Sequence, residues 1–256
     1  MNTPKDIARN FLDTGAAKAA LPIPKMFLLA ALAGAYIALA GVAATIGTSL
    51  AGRLAGACIF PAGLSMIVVA GGELFTGNSL MVIPLLEKRI APGRLLTAWA
   101  VVYLGNLAGA VLTAALAVGA GSLDAVSDAV LSTASAKVSL VFSDGLLRGI
   151  LCNVLVCAAV WMTMAATTAG GKIACLYMPV MAFVLCGFEH CIANMFYIPA
   201  GLFMALRQGG GPEGLTWGAF LLKNLLPVTA GNMLGGVGLG TALWAAYRPA
   251  RDTVKI

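Results

Sequence analysis

The sequence is poor in charged side chains and contains a single histidine. Only 10% of its 256 residues are Asp, Glu, Lys or Arg, whereas 60% are hydrophobic, and the mean hydropathy is +0.94. Soluble domains carry about 25% charged and about 45–50% apolar residues, so this composition excludes a soluble globular domain. It also excludes a disordered chain, because disordered segments are polar and rich in charge.

Other absences narrow the class of function. The six cysteines form no CxxC pair, and one histidine beside Cys191 falls short of the three or four ligands of a zinc site. One histidine also cannot ligate haem on both sides, and no nucleotide-binding motif is present. We therefore expect no enzyme activity, no metal and no cofactor. Basic residues at cytoplasmic helix ends explain the net charge of +6, so no nucleic-acid partner is expected either.

The first 25 residues differ from the rest of the chain. Charged residues recur throughout this segment, so it does not form a cleavable signal peptide. Ile7, Phe11 and Leu12, with charges between them, are typical of an amphipathic helix that lies at a membrane surface. Residues 1–25 are therefore predicted to be a cytoplasmic amphipathic segment.

Long charge-free stretches fill the remainder. They cover 26–52, 54–72, 74–86, 95–123, 149–171, 173–188, 191–206 and 224–247. A crossing needs about 20 apolar residues, which four of these stretches supply alone. The others form two adjacent pairs that meet at Glu73 and at Glu189, and each pair is interpreted as one broken span. The prediction is an all-α integral membrane protein with six transmembrane helices, of which the second and fifth are broken.

The two halves of the channel domain, 26–247, follow one plan. Glu73 and Asn78 are five residues apart, as are Glu189 and Asn194, and a Gly-Asn pair in the third span recurs in the sixth. Halves of about 26–120 and 145–247 hold three spans each, and an odd number forces opposite orientations. The sequence thus predicts an inverted 3+3 repeat, whose pathway is expected at the breaks.

Lysine and arginine counts predict the orientation. With a cytoplasmic N-terminus, that side holds Lys5, Arg9, Lys18, Lys25, Lys88, Arg89, Arg94, Lys172, Arg248, Arg251 and Lys255. The other side holds only Arg53, Lys137, Arg148, Arg207 and Lys223. This bias predicts cytoplasmic termini, including a tail at 248–256. The segment 121–137, with Asp124 and Asp128, predicts a short amphipathic helix on the outer face.

The second break carries unusual chemistry for membrane depth. Glu189, His190 and Asn194 lie within six residues there, and ionisable groups inside a span mark functional sites by default. For Glu73 and Glu189 we favour the simpler role of hydrogen bonding to loop backbone left open by the breaks, and Asn78 would support its loop likewise. For His190 we favour a role in the pathway over that of a satisfied core residue.

Residues around the breaks allow two interpretations. The Thr76 hydroxyl could face the pathway, cap the following half-helix, or do both. Several large apolar side chains could form collars around the polar centre or could simply pack: Phe60, Leu64, Leu74, Phe75, Phe183 and Phe188.

The chain resembles the formate/nitrite transporter family over nearly its whole length. The motifs that carry the resemblance are FPAGL at 60–64, GELFTGN at 72–78, YLGN at 103–106, GILCN at 149–153 and FEHCIANM at 188–195. The resemblance implies an aquaporin-like homopentamer with one pathway through each protomer and lipid in the central axis. It also implies a bacterial-type cytoplasmic membrane as the location.

The resemblance assigns roles to individual residues. It implies that His190 is the central polar group and that Thr76 faces it from the first broken span. It maps the constrictions onto apolar positions, and it associates Lys137, Asn153 and Glu189 with the anion route or with the electrostatics around the histidine. The constriction positions are Phe60, Leu64, Leu74 and Phe183. The implied substrates are small monovalent anions, with formate first and nitrite or hydrosulfide as alternatives.

Burial of a bare anion is costly, so passage as the neutral acid is the favoured mechanism. In this hypothesis Lys137 concentrates the anion, and His190 supplies a proton directly or through water. Alternatively, His190 stays in place as a hydrogen-bond donor and the anion crosses partly hydrated. A neutral-solute channel for water or ammonia is a third possibility, although neither break has the Asn-Pro-Ala loop of water channels.

Overall fold

The computed structural model describes residues 1–248. The segment 249–256, which contains Arg251 and Lys255 of the predicted tail, lies outside the described residues. Residues 1–248 are helical and contain no strand. The helices are α1 (Pro4–Ala20), α2 (Ile23–Ile59), α3 (Pro61–Ala70), α4 (Val82–Leu86), α5 (Pro92–Gly119), α6 (Ser127–Val138), α7 (Phe142–Thr163), α8 (Ala169–Cys186), α9 (Cys191–Arg207), α10 (Trp217–Ala219) and α11 (Leu226–Tyr247). Short 3₁₀ helices cover Gly77–Met81 and Asp124–Val126, and a π-helical turn covers Phe220–Leu225.

The first apolar helix folds back on itself. The apolar stretch Ile23–Ala70 has 48 residues. As one straight helix it would be about 72 Å long, more than twice the thickness of the hydrocarbon core of a bilayer. Ala51 (φ −140°) and Gly52 (φ 82°) are not helical, and the left-handed conformation at Gly52 favours glycine. Beyond this reversal α3 runs antiparallel to α2, with Gly63 against Ile37 and Ala40.

Two other helices are interrupted in the middle of the fold. α3 ends at Ala70, and the chain is not helical again until the 3₁₀ turn that begins at Gly77. α8 ends at Cys186, and α9 begins at Cys191. The N–H of Glu73 donates to Leu29 O (3.2 Å), and that of Glu189 donates to Arg148 O (3.3 Å). Each interruption is therefore anchored to a neighbouring long helix.

Two closely packed helix pairs form the frame. α2 packs on α5, where Gly34 lies directly against the backbone of Asn106. α7 packs on α11, where Gly231 lies against the backbone of Leu146 in the same way. No Cβ fits at either glycine, which is why small residues are found at membrane helix contacts.

The outer surface of this frame is apolar. Leu32, Leu104, Leu112, Leu147 and Leu234 are each at least 40% exposed. Within residues 1–248, four helical stretches are long and apolar enough to cross a membrane, and two shorter apolar stretches, Gly77–Leu86 and Cys191–Arg207, follow the interruptions. Contiguous exposed apolar surface on this scale is unstable in water. The chain is a multi-pass membrane protein.

The N-terminal helix differs from its predicted placement. The apolar face of α1 does not lie against the membrane surface but packs on the protein. Ile7, Phe11 and Leu12 are buried against a cluster of Leu80, Val82, Ile83, Cys157 and Trp161. Asn2 ties the start of the segment to the end of α7, because its Nδ2 donates to Met164 O (2.8 Å). An amphipathic pattern is expected both for a helix that lies on a membrane and for a helix that packs on protein, so the sequence did not distinguish these two placements.

Candidate functional site

A buried asparagine organises each interruption. Asn106 Nδ2 donates to the carbonyls of Ala30 (2.7 Å) and Glu73 (2.8 Å), and its Oδ1 accepts from Phe75 N (2.9 Å). Asn232 Nδ2 donates to the carbonyls of Gly149 (2.8 Å) and Glu189 (2.9 Å), and its Oδ1 accepts from Cys191 N (2.8 Å). These two sets match bond for bond.

This match defines equivalent positions in the two interruptions. Each asparagine binds the carbonyl of a glutamate and the N–H two residues later. The residue between them is Leu74 in the first interruption and His190 in the second. The hydrogen bonds that hold the two interruptions are therefore equivalent, and the residue enclosed by them differs.

Each glutamate is buried with a lysine and an asparagine. Lys18 Nζ donates to both oxygens of Glu73 (2.8 Å each), and Asn78 Nδ2 donates to Oε2 (2.8 Å). Glu73 is 7% exposed. A buried carboxylate is tolerated when it is paired and hydrogen-bonded, and this one meets both conditions.

The second glutamate has the same partners. Lys137 Nζ donates to both oxygens of Glu189 (2.9 Å each), and Asn194 Nδ2 donates to Oε2 (2.7 Å). Glu189 is 5% exposed. Both carboxylates therefore pair with a lysine and an asparagine side chain, and not with the loop backbone that we expected from the sequence.

The central histidine has a defined orientation. His190 is the N-cap of α9, and its Nδ1 accepts from the N–H of Ala193 (3.0 Å). A neutral imidazole that accepts at Nδ1 carries its hydrogen at Nε2, so this contact assigns the tautomer. Nε2 lies 2.9 Å from Thr76 Oγ1, and donates to it.

Thr76 serves the histidine and not the following helix. Its hydroxyl makes no cap hydrogen bond to the 3₁₀ turn at Gly77–Met81. Since Thr76 Oγ1 accepts from His190, its own hydrogen is free to donate elsewhere. Asn153, expected near the anion route, lies behind Thr76, where its Nδ2 donates to Thr76 O (3.2 Å) and to Asn232 O (2.6 Å).

Three neighbouring cavities share lining residues. One of about 520 Å³, called the outer cavity after the predicted orientation, contains Lys137, Glu189, His190 and Asn194 in its wall. An inner cavity of about 460 Å³ is lined by residues that include Lys18, Glu73 and Asn78. Between them lies a space of about 10 Å³, at the lower limit for one water, lined by Ile37, Phe60, Leu64, Leu74, Val156, Val180, Phe183 and His190.

Two apolar collars separate these cavities. Phe60 and Phe183 line both the outer and the central cavity, with ring centroids 5.8 Å apart at 83°. Leu64 and Leu74 line both the central and the inner cavity. The His190 ring stacks on Phe183 at 5.8 Å and 19°. The imidazole therefore lies beside the outer collar, where it borders both the outer cavity and the narrow central space.

Phe75 is set apart from the other predicted collar residues. Its ring packs edge-on against Tyr103 (4.9 Å between centroids), and it is not among the residues around the central cavity. Phe188 lines the outer cavity only.

Sequence analysis gave no role to two residues of this site. Lys18 entered only the lysine and arginine count that predicts the orientation. Its alignment with the apolar face of α1 could have indicated that it contacts the protein. Asn224 lies in the π-helical turn, where its Oδ1 accepts from Asn194 (2.7 Å) and its Nδ2 donates to Lys137 O (2.9 Å). It links the lysine's backbone to the amide beside Glu189, and the sequence pattern gave no signal for that turn.

Comparisons with known proteins agree with this architecture. The formate/nitrite transporter family profile matches residues 5–246. A probable formate transporter of Methanothermobacter thermautotrophicus is 37% identical, with 96% of this chain and 97% of that protein covered. The formate channel FocA of Escherichia coli is 36% identical, over 97% of this chain and 95% of that one.

Solved structures are similar over the same length. A pentameric formate channel with formate bound superposes with a TM-score of 0.77 at 32% identity and covers 88% of this chain and 97% of its own. An ion channel described as FNT family gives a TM-score of 0.84 at 28% identity, with coverages of 94% and 98%. The profile match and these identities show that the chain belongs to the formate/nitrite transporter family.

Proposed function

We propose that the protein is a homopentameric channel or transporter for small monovalent anions of weak acids, with formate as the first candidate. The relatives described above are formate channels and transporters, and one solved relative is a pentamer with formate bound. Nitrite and hydrosulfide are the alternative anions, and protons are the partner ions. These relatives also support the interpretation that the chain is not an enzyme.

The proposal includes a six-span topology in a bacterial-type cytoplasmic membrane, with both termini cytoplasmic. The reversal at Ala51–Gly52 supports two crossings in the long first stretch. The matching bonds of Asn106 and Asn232 support an inverted repeat, because each half presents the same glutamate carbonyl and the same later N–H. α11 has 22 residues and spans about 33 Å, enough for the sixth crossing.

One observation carries the proposal: His190, whose Nε2 lies 2.9 Å from Thr76 Oγ1, lines both the outer cavity and a central space of about 10 Å³. Apolar side chains form the rest of the wall of that central space. An anion would lose most of its water in such a space at a cost of many kcal/mol. Passage as the neutral acid removes most of that cost, and this is the mechanism we favour.

In the favoured mechanism His190 gives a proton to the anion from Nε2, the neutral acid releases that proton on the other side, and a proton taken up through water replaces the one that His190 lost. The donor must then be the imidazolium, which holds hydrogens on both ring nitrogens. Nδ1 now accepts from Ala193 N–H, so each proton transfer requires this cap to release. The relay therefore couples transport to movement of the first turn of α9.

The same cap favours a second candidate, an anion channel. If Nδ1 keeps its bond to Ala193, His190 stays neutral and donates to Thr76, whose hydroxyl hydrogen then donates to the passing anion. The histidine is a selectivity group in this mechanism. No proton accompanies the anion.

The test is uptake into proteoliposomes that contain a pH dye, with formate, nitrite, hydrosulfide and chloride offered in turn. Wild type is compared with His190→Asn, because asparagine is a good N-cap and keeps α9 intact without a titrating group. Formate uptake with a proton, and loss of that coupling in the variant, would support the relay. Anion current without proton movement would select the channel. Water flux without any anion movement would reject both.

A further inference from the structure

The wall of the outer cavity carries more positive than negative charge. Its charged residues are Arg53, Lys137, Arg148 and Glu189. Lys137 Nζ contacts both carboxylate oxygens of Glu189 (2.9 Å each), so that ion pair is neutral. The two arginines are left as the net charge of the wall.

Neither arginine is strongly neutralised. Arg148 reaches Asp144 at 3.8 Å one helical turn away, and both side chains are nearly half exposed. Exposed pairs of this kind contribute little and hold their charges loosely. Arg53 is exposed, and no ion pair links it to another residue in 1–248.

Both arginines are attached to the edges of the second interruption. The Arg53 guanidinium lies over Gly187, close enough that a Cβ on residue 187 would contact its Nη2. The Arg148 carbonyl accepts from the N–H of Glu189 (3.3 Å). Gly187 and Glu189 are within three residues of His190, so the charges lie at the approach to the histidine.

This concentration of charge runs against the distribution on the same side. In the proposed orientation the outer side has few basic residues, and three of the five, Arg53, Lys137 and Arg148, line one cavity. Arg207, another of the five, pairs with Asp124 at 2.7 Å and is not part of the cavity wall. The outer side of the protein thus has few basic residues, and most of them line the outer cavity.

We propose that Arg53 and Arg148 form an anion-capture site at the outer mouth, which takes hydrated monovalent anions of the carboxylate class and delivers them to Lys137. This proposal rests on the proposed function. The guanidinium groups are exposed to salt, so they raise the local anion concentration without holding it tightly. An anion captured in this way can still move inward toward the collar of Phe60 and Phe183.

The potential at the mouth can be measured without transport. Ser132→Cys gives an exposed thiol in the cavity wall, in a background in which exposed Cys186 is replaced by serine. The rate of its reaction with an anionic methanethiosulfonate is divided by the rate with a cationic one. In the purified protein at low ionic strength, we expect Arg53→Gln with Arg148→Gln to lower this ratio about fivefold. An unchanged ratio would overturn the proposal.

Transport provides the second measurement. In proteoliposomes the double variant should take up formate about fivefold more slowly at low formate and low ionic strength, and at the wild-type rate at saturating formate or high salt. Arg207→Gln, which removes a charge from the same side but not from the cavity, should behave as wild type. An equal loss in Arg207→Gln would show a general surface effect and overturn the proposal. Absence of formate uptake in wild type would reject the proposed function, and the thiol ratio would still decide on the capture site.

Discussion

Two nitrogens of one ring connect the backbone to the pathway. His190 Nδ1 caps α9 through Ala193, and Nε2 meets the Thr76 hydroxyl. Sequence analysis predicted that His190 belongs to the pathway because it is the sole histidine and lies at a break. The tautomer depends on a backbone N–H three residues away, and no sequence pattern reports that contact.

At Thr76 we predict that the hydroxyl is needed and the methyl group is not. Thr76→Val leaves the buried His190 Nε2–H without its acceptor, so formate uptake should fall roughly 10- to 100-fold. Thr76→Ser keeps the oxygen and should retain most activity. Initial uptake rates in proteoliposomes check both variants, and equal rates for valine and threonine would contradict the role of this contact.

At the second glutamate we predict strong coupling with its lysine. The side chains of Lys137 and Glu189 are 16% and 7% exposed, so Lys137→Met should leave a buried carboxylate unpaired at a cost of about 3–5 kcal/mol. Lys137→Met combined with Glu189→Gln removes both charges and should recover most of that stability. Thermal unfolding of the purified variants measures the coupling. Additive losses in the double variant would contradict a direct pair.

At the scale of elements, α1 is part of the inner cavity. Phe11, Thr14 and Lys18 line that cavity, and Lys18 binds Glu73 of the first interruption. The start of α1 has a capping box, in which the Thr3 hydroxyl accepts from Asp6 N and the Asp6 carboxylate accepts from Thr3 N. The position of Lys18 therefore depends on an ordered helix that begins at this box.

Loss of the Thr3 hydroxyl should loosen α1. Thr3→Ala removes an N-cap whose loss typically costs about 1 kcal/mol of helix stability. Hydrogen–deuterium exchange should become severalfold faster over residues 4–20, and α7 should be unaffected. Thr3→Ser is the matched control, and it should exchange like wild type.

The capping box also predicts a dependence on pH. The Thr3 hydroxyl, and then its backbone N–H, donate to the Asp6 carboxylate and hold the pKa of Asp6 below its ordinary value. A lowered folded-state pKa contributes stability above the unfolded value near 4, and that contribution is lost as pH falls through the folded value. Protection over residues 4–20, which compares the exchange rate with the intrinsic rate at the same pH, should therefore decrease below about pH 4 in wild type. Asp6→Asn should show less of this decrease.

For the whole molecule, the exposed leucines of the frame need both lipid and neighbouring protomers. We predict five chains of 26.0 kDa in one particle. Native mass spectrometry of the detergent-solubilised protein, which separates bound lipid from protein mass, is the measurement. A monomer or dimer that still transports formate would contradict the pentamer.

The membrane class and the two interruptions could be predicted because they rest on gross patterns. Burial of a glutamate in the middle of an apolar stretch costs free energy, so the positions of Glu73 and Glu189 in the sequence predicted both interruptions. The placement of α1 could not be predicted, because lipid and protein satisfy an apolar face equally well. Phe75 could not be separated from Leu74, since both are large and apolar and their positions in the sequence do not show which of them faces the cavity.

The uniqueness of His190 has a practical consequence for spectroscopy. With one imidazole in each chain, ¹⁵N-histidine labelling yields signals from this ring alone, and they need no assignment. The Ala193 contact leaves Nδ1 unprotonated and Nε2 protonated, so the ¹⁵N resonances of these two nitrogens should be widely separated in the resting protein. Their convergence or persistence while formate is supplied would report on the proton directly, in the intact membrane.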